Sequence, residues 1–243
     1  MKFIAGSYAG ALSLEHAEMS RDLVRSAKFK ATFPHLEIQQ DKDTKSNFRI
    51  VERFPDGTVV GGGNRYSTSV GGTVTGYHAH ILIVDDPLDP KRANSVVELE
   101  SANRWMSQTL STRKVDKTVT PTILIQQRLH QNDCTGALLA KKKGAKIKHI
   151  CLPGEIRNFR EFVKPSELIS QYTDDLLDPL RMNWNVLNES EQVLGQYGYA
   201  GQIGQNPVPP GGGMFKVDNI AIVDQMPAES NFISIVRFWD KAG

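Results

Sequence analysis

Two adjacent carboxylates, Asp85 and Asp86, follow four consecutive apolar residues, Ile81 to Val84. An apolar run of this kind predicts a buried β-strand whose end presents both acids at one point. One strand-end carboxylate can hold Mg²⁺ through the water shell of the ion, and its neighbour can orient or deprotonate an attacking water. The pattern has the form of a Walker B element. The alternative, two acids that simply end a strand next to Pro87, stays open.

A second polar group follows the apolar segment 119–125, which predicts another strand. Gln126, Gln127 and Arg128 come directly after it, and the carboxyl ends of parallel strands gather the functional groups of an α/β sheet. We therefore expect Gln127 and Arg128 beside the paired acids. Arg128 could stabilise a γ-phosphate, or it could form a structural salt bridge with Asp133. The sequence leaves both roles open.

The phosphate-binding half of such a site is not recognisable in this sequence. It contains no GxxxxGK[ST] motif, and the glycine clusters at 61–63 and 71–72 lack the lysine and the strand-to-helix context. Without a cradle of backbone amides and a lysine for the phosphates, nucleotide affinity should be weak.

Two further features bear on nucleic acids. The run KKKGAKIK, residues 141–148, holds five lysines that could contact a DNA backbone or could instead complement a helix end. Asp240 follows a predicted strand at 232–239, and a strand that delivers an aspartate is how a two-metal nuclease of the ribonuclease H type begins. Such chemistry needs three or four acids, so Asp240 alone is a weak signal.

Strands and helices alternate along the chain, and the strands are continuous apolar runs. This pattern predicts an α/β protein with a three-layer, mostly parallel sheet. Asp56-Gly57 predicts a hairpin turn, and Ser95 with Glu98 predicts a capping box that opens a helix. We expect a mobile or close-approach loop over the polar segment that is flanked by the glycines at 61–63 and 71–72, and a linker at 207–213. The other expected elements are strands at 2–8 and 147–152, and helices that start near residues 13, 135 and 189.

The bulk composition sets broad limits on the class of protein. The chain has 243 residues, a net charge of +2 and 40% hydrophobic residues, which is typical of a globular protein. Its two cysteines are not in a CxxC spacing, which favours a reducing compartment. No signal peptide and no apolar run long enough to span a membrane is recognisable, so we expect a cytoplasmic protein without a membrane partner.

Taken in order, several segments resemble the large subunit of tailed-phage terminases. GGTVTGYHAHILIVDDPLDP resembles the Walker B region of that family, and SYAGALSLEHAEMSRDLV resembles the segment that precedes it. RWMSQTLSTRK and ILIQQRLHQNDCTGALL resemble the next helix and the coupling motif. GYAGQIGQNPVPPGGGMFK resembles the end of the ATPase domain with its linker, and VRFWDKAG resembles the start of the nuclease domain. The resemblance covers most of the chain, and the order of its segments makes it fairly specific.

The resemblance implies a role for each candidate residue. Asp85 would coordinate the Mg²⁺ of an ATP-hydrolysing motor, and Asp86 would activate water at a position where the family often has Glu. Gln127 and Arg128 would link hydrolysis to movement, and Asp240 would be the first metal ligand of the nuclease. The implied partners are double-stranded DNA, the portal protein, the terminase small subunit and other copies of the large subunit.

The sequence also departs from the family pattern. It lacks the Walker A strand and loop, and it lacks the other nuclease acids. We therefore expect an incomplete P-loop NTPase-type domain at residues 1–205, a linker at 206–231 and the first strand of a ribonuclease H-like domain at 232–243. We expect little ATP hydrolysis and no DNA cleavage by this chain alone. Two alternatives are a non-catalytic fragment that complements a separately encoded Walker A piece, and an unrelated α/β nucleotide hydrolase.

Overall fold

A six-stranded mixed sheet lies at the centre of the part of the chain that the structure describes. The structure is a computed structural model, and it describes residues 1–141, 146–208 and 234. The sheet order is β2-β3-β4-β1-β5-β6. The pairs β4–β1, β1–β5 and β5–β6 are parallel, and β2–β3 and β3–β4 are antiparallel. An α/β fold with a mostly parallel sheet is therefore confirmed. The strands are β1 (Lys2–Ser7), β2 (Leu36–Asp43), β3 (Asn47–Arg53), β4 (Val59–Ser69), β5 (Ile81–Asp85) and β6 (Thr122–Ile125).

Helices cover both faces of this sheet. Gly6 packs so closely against Trp105 that an added Cβ would lie 2.6 Å from the indole ring. On the opposite face, His16 lies beside Asp85. The sheet is thus the middle of three layers. The α-helices are α1 (Gly10–Arg25), α2 (Ala27–Thr32), α3 (Val96–Arg104), α4 (Cys134–Leu139) and α5 (Trp184–Gln202). A π-helical turn at Trp105–Thr109 continues α3, and 3₁₀ turns lie at Pro90–Arg92, Leu110–Arg113, Arg160–Phe162 and Ser166–Gln171.

The main hydrophobic core lies between the sheet and the layer formed by α3, its π-helical continuation and α4. Leu82 and Val84 of β5 are fully buried there, in one cluster with Ile4, Trp105 and Leu110. Successive residues of a strand point to opposite faces, so the next residue on this side of β5 after Val84 would be position 86. Burial of these side chains therefore fixes the position at which β5 presents its two acids.

The predicted hairpin is confirmed, whereas only the Ser95 half of the predicted capping box forms, because the N–H of Ser95 donates to the carbonyl of Arg92 and the Glu98 carboxylate pairs with Arg92. β3 and β4 pair on either side of a turn in which Gly57 has φ of 85°, a conformation that glycine adopts without strain. The hydroxyl of Ser95 accepts the N–H of Glu98 at the start of α3. The loop expected between the glycines at 61–63 and those at 71–72 is wrong, because β4 runs through the first glycine cluster and on to Ser69. A Cβ at Gly62 would lie 2.5 Å from a backbone carbonyl of β3, so glycine permits the close approach of the two strands.

The strand expected at 147–152 is also wrong. Among the described residues of this segment, the β-type pairing consists of one isolated bridge, between Cys151 and Lys164. The helix expected near residue 13 is present as α1, and it buries Ser13, Ala17 and Val24. The strand β2 was not predicted from the sequence. The helices expected near residues 135 and 189 correspond to α4 and α5.

Residues 151–208 form a smaller packed region around α5. Leu176, Leu187 and Tyr199 form its buried centre, and the guanidinium of Arg157 lies 3.7 Å from the centroid of the Trp184 ring. All of these elements belong to the compact unit Met1–Pro209. The expected linker and nuclease strand lie outside the described residues, apart from residues 206–208 and 234. None of the described helices is both long and apolar enough to cross a lipid bilayer.

Candidate functional site

The two acids lie where three parallel strands end together. Asp85 is the last residue of β5, and Asp86 follows it. The backbone N–H of Asp86 donates to the carbonyl of Ile125 on β6 at 2.9 Å, and its carbonyl accepts the N–H of Tyr8, just after β1, at 3.0 Å. The two bonds tie the carboxyl ends of β1, β5 and β6 to one residue. The acids are therefore held by the sheet and not by a loose loop.

Asp86 adopts a backbone conformation that side chains usually avoid. Its φ is 40°, in the left-handed region, where aspartate and asparagine are tolerated better than most residues. A side-chain oxygen of Asp86 accepts the N–H of Gln127 at 3.2 Å. Strained backbone of this kind persists where neighbouring bonds hold it, and it is concentrated at functional sites.

The predicted proximity of Gln127 to the acids is thus observed, although the contact comes from its backbone. The Gln127 side chain is exposed. The preceding residue, Gln126, is different: both polar atoms of its side-chain amide are buried and find no hydrogen-bond partner among the described residues. Buried amides almost always have a hydrogen-bond partner, and the described part of the chain supplies none for this side chain. Sequence reasoning assigned Gln126 no role, because a single glutamine carries no pattern.

His16 joins the site from α1, and the sequence gave no sign of it. Its Nδ1 lies 3.6 Å from Oδ2 of Asp85, and both side chains are a little over one-third exposed. At this distance the pair is an electrostatic contact if the imidazole is protonated, and it is too long for a hydrogen bond. His16 and Asp85 are 69 positions apart, so the packing of α1 on the sheet is what brings them together.

Asp86 is the acid whose ionisation the site perturbs. Burial raises the pKa of the Asp86 carboxyl above its ordinary value of 3.8, and the N–H of Gln127 opposes this effect. The charge of Asp85 raises that pKa further, and His16 lowers it. The net result is a carboxylate that accepts a proton more readily than an ordinary aspartate does.

Arg128 forms the salt bridge that was one of its two expected roles. Its Nε donates to both carboxylate oxygens of Asp133, at 3.1 and 2.9 Å, and Asp133 is 1% exposed. The same carboxylate accepts the N–H of Leu129 and the N–H of Gly136, and it thereby caps α4. Asp133 is therefore a structural anchor, and Arg128 is held by it at the end of β6.

The donor set suits a magnesium ion better than a softer metal. No cluster of three or more His, Cys, Asp or Glu side chains occurs in the described ranges. Mg²⁺ needs no such cluster, since it retains most of its water and takes one or two carboxylates. Either Asp85, beside His16 of α1, or Asp86 could supply one carboxylate, and a cleft of about 120 Å³ beside Asp86, Tyr8 and Gln127 has room for a few water molecules.

No protein-family model and no curated protein matches the sequence. Asp240, the predicted nuclease ligand, lies outside the described residues. The interpretation of the site therefore rests on its own chemistry and geometry.

Proposed function

We propose that the chain derives from the large subunit of tailed-phage terminases, the ATP-driven motors that package viral DNA into capsids and cut it. The observation that carries the proposal is the pair of carboxylates at the joined ends of three parallel strands. An ATPase of this class needs both a metal ligand and an acid beside the attacking water. The ordered segments that resemble the family support the same conclusion.

The environments of the two acids favour different roles. Asp85 is partly exposed and faces α1, so it is accessible to a hydrated Mg²⁺, which would neutralise phosphate charge when bound with ATP. Asp86 is half-buried, and its raised pKa suits it to accept a proton from water. Gln127 and Arg128 would belong to the element that couples hydrolysis to movement.

The remaining functions are part of the same proposal. Asp240 would be the first metal ligand of the nuclease that cuts the packaged DNA. Double-stranded DNA, the portal protein, the terminase small subunit and further copies of the large subunit would be the partners. A second candidate is a non-catalytic fragment that complements a separately encoded Walker A piece.

A metal-binding experiment tests the role of the acids. Mn²⁺ is a paramagnetic substitute for Mg²⁺, and it broadens the NMR signals of nearby amides. We expect broadening centred on residues 85–86 and 126–127, lost in Asp85→Ala and retained in Asp41→Ala, an exposed aspartate on β2. Broadening that survives in Asp85→Ala would contradict the proposed metal site.

Nucleotide turnover separates the two candidates. The purified chain is assayed for Mg²⁺-dependent ATP hydrolysis with and without a fragment that carries a Walker A motif. Turnover that requires both pieces and is lost in Asp86→Asn supports complementation. Turnover by the chain alone that is lost in Asp85→Ala supports a complete hydrolase. Turnover that neither substitution affects rejects the assignment of both acids.

A further inference from the structure

His16 and Asp85 approach each other across the interface between α1 and the sheet. Nδ1 of the imidazole lies 3.6 Å from Oδ2 of the carboxylate. This separation is too long for a hydrogen bond, so the contact contributes little to the stability of the fold while the imidazole is neutral. It nevertheless places a nitrogen donor and an oxygen donor side by side, next to the proposed position of the metal ion.

The separation is close to that of two donors bound to one metal ion. A metal–ligand distance of about 2.1 Å places neighbouring donors about 3.0 Å apart around an octahedral ion and about 3.4 Å apart around a tetrahedral ion. The observed 3.6 Å exceeds the octahedral value by about 0.6 Å. Both side chains are a little over one-third exposed, so small rotations can close this gap and a hydrated ion can reach them.

The backbone that carries each donor is held in place. α1 buries Ser13 and Ala17 against the sheet, and this packing fixes the side of the helix on which His16 lies. The guanidinium of Arg65, on β4, donates to the carbonyl of His16 at 3.2 Å. Asp85 ends a strand that pairs with β1 on one side and with β6 on the other. Donors that are positioned before the ion arrives lose little conformational freedom when it binds.

A second acid strengthens the attraction of this position for a cation. Asp86 follows Asp85 directly, and its N–H donates to the carbonyl of Ile125 on β6 at 2.9 Å, which holds it at the same strand end. Two carboxylates attract a divalent ion more strongly than one does. Asp86 does not have to bind the ion for this effect, because its charge acts over the distance between neighbouring residues.

A second pair of the same kind provides an internal comparison. Nε2 of His35 lies 3.8 Å from Oε1 of Glu52, and these side chains are 48% and 39% exposed. The glutamate has one more rotatable bond than an aspartate, and its neighbours in the chain, Val51 and Arg53, carry no negative charge. Spacing alone therefore does not select His16. The packing of its helix and the adjacent second acid do.

We propose that His16 is a ligand of the divalent ion at Asp85, and that its imidazole nitrogen makes the site bind Mn²⁺ in preference to Mg²⁺. Mg²⁺ takes oxygen donors, whereas imidazole binds first-row transition ions, of which Mn²⁺ is the one most like Mg²⁺ in its preference for carboxylate and water. Two protein donors suffice for an ion that keeps water in its other positions. The inference rests on the metal role proposed for Asp85, and it does not depend on ATP hydrolysis.

Electron paramagnetic resonance of Mn²⁺ bound to the whole chain tests the proposal directly. Spin-echo modulation from a directly bound ¹⁴N nucleus identifies an imidazole ligand, and ¹⁵N-labelled histidine should change this modulation. The amplitude of the spectrum of free Mn²⁺ gives the affinity for Mn²⁺, and displacement by Mg²⁺ gives the affinity for the second ion. We expect nitrogen modulation in the unaltered protein and an affinity for Mn²⁺ at least about tenfold above that for Mg²⁺.

Three variants assign the nitrogen to one residue. His16→Gln should remove the modulation and weaken Mn²⁺ binding about tenfold, while the affinity for Mg²⁺ changes less than about twofold, because Mg²⁺ does not use the nitrogen. Asp85→Ala should abolish the binding of both ions. The matched control, His35→Gln, removes the imidazole of the other pair and should change neither the modulation nor the two affinities.

The outcomes separate the role of His16 from that of Asp85. Mn²⁺ binding that is lost in Asp85→Ala but shows no nitrogen modulation overturns the role of His16 and leaves the metal role of Asp85 in place. Absence of Mn²⁺ binding, or binding that survives in Asp85→Ala, overturns both roles. Modulation that disappears in His35→Gln and persists in His16→Gln assigns the nitrogen to the other pair. Equal losses of Mn²⁺ and Mg²⁺ affinity in His16→Gln would show that His16 acts through the fold and is not a ligand.

Discussion

Replacing Asp86 by asparagine should stabilise the protein at neutral pH. The change removes a charge that is half-buried next to the charge of Asp85. It keeps a side-chain oxygen to accept the N–H of Gln127, and asparagine tolerates the left-handed backbone at φ of 40°. Most substitutions destabilise a protein, so a gain here would identify a residue retained for function at the expense of stability.

The gain comes first from removing a half-buried charge and then from removing its repulsion with Asp85, and the repulsion can be sized. Two unit charges on the order of 6 Å apart repel by about 0.7 kcal/mol in water and by about 2.8 kcal/mol at an effective dielectric constant of 20. Both side chains contact solvent, and His16 offsets part of the repulsion, so the lower end of this range applies. We expect a rise of about 1 kcal/mol in the free energy of unfolding, or roughly 2 to 4 °C in Tm.

The gain should also depend on pH with a definite sign. Because the pKa of Asp86 is raised in the folded protein, the folded state binds the proton more tightly than the unfolded state does. Asp86 therefore lowers stability as pH rises from 3.8 through the raised pKa. The advantage of Asp86→Asn should be complete at neutral pH, shrink as pH falls through the raised pKa, and vanish below about 3.8.

Urea unfolding followed by circular dichroism, from about pH 7 to about pH 4, measures both effects. Asp133→Asn is the matched control, since it also neutralises an aspartate but leaves Arg128 without its buried partner. It should lower the free energy of unfolding by about 3 kcal/mol at neutral pH. The reasoning is refuted if Asp86→Asn destabilises the protein at neutral pH, or if its advantage is the same at both ends of the pH range.

Three further predictions concern the elements around the site. Arg128→Ala should lower the free energy of unfolding in urea by about 3 kcal/mol, because Asp133 keeps its buried charge and loses its cation; a loss below about 1 kcal/mol would contradict this. Gly136→Ala should lower Tm, because the added Cβ would overlap a neighbouring backbone carbonyl, and an unchanged Tm would refute that contact. Burial raises the pKa of Cys134 to about 12, so its thiol should react with an aromatic disulfide reagent at neutral pH only after unfolding. Rapid reaction of Cys134 in the folded protein would show that it is not buried.

The sequence predicted the elements whose signals are local. β5 follows from its apolar run, the turn at Gly57 from its dipeptide, and the start of α3 from the capping residues Ser95 and Glu98. The extension of β4 through the glycines was missed, because the segment that they flank was expected to be a mobile or close-approach loop. Here it relieves a close approach of backbone that only the folded sheet creates.

Long-range pairing explains the other differences. The segment 147–152 has the composition of a strand, but composition cannot supply a neighbour, and among the described residues its pairing is the single bridge between Cys151 and Lys164. The contact between His16 and Asp85 depends on how α1 packs on the sheet, and neither residue alone indicates it. The adjacency of the acids to Gln127 was predictable, because parallel strands bring their carboxyl ends together whatever their side chains are.

The salt bridge of Arg128 determines what this residue can do in the proposed ATPase. To reach a phosphate, its guanidinium would have to leave Asp133 buried without a cation, which costs about 3 to 5 kcal/mol. Asp133 also caps α4 through the N–H of Gly136. A displacement at the end of β6 would therefore pass through Arg128 and Asp133 to the first turn of α4. We infer that Arg128 transmits movement from the strand end to this helix and does not contact the γ-phosphate directly.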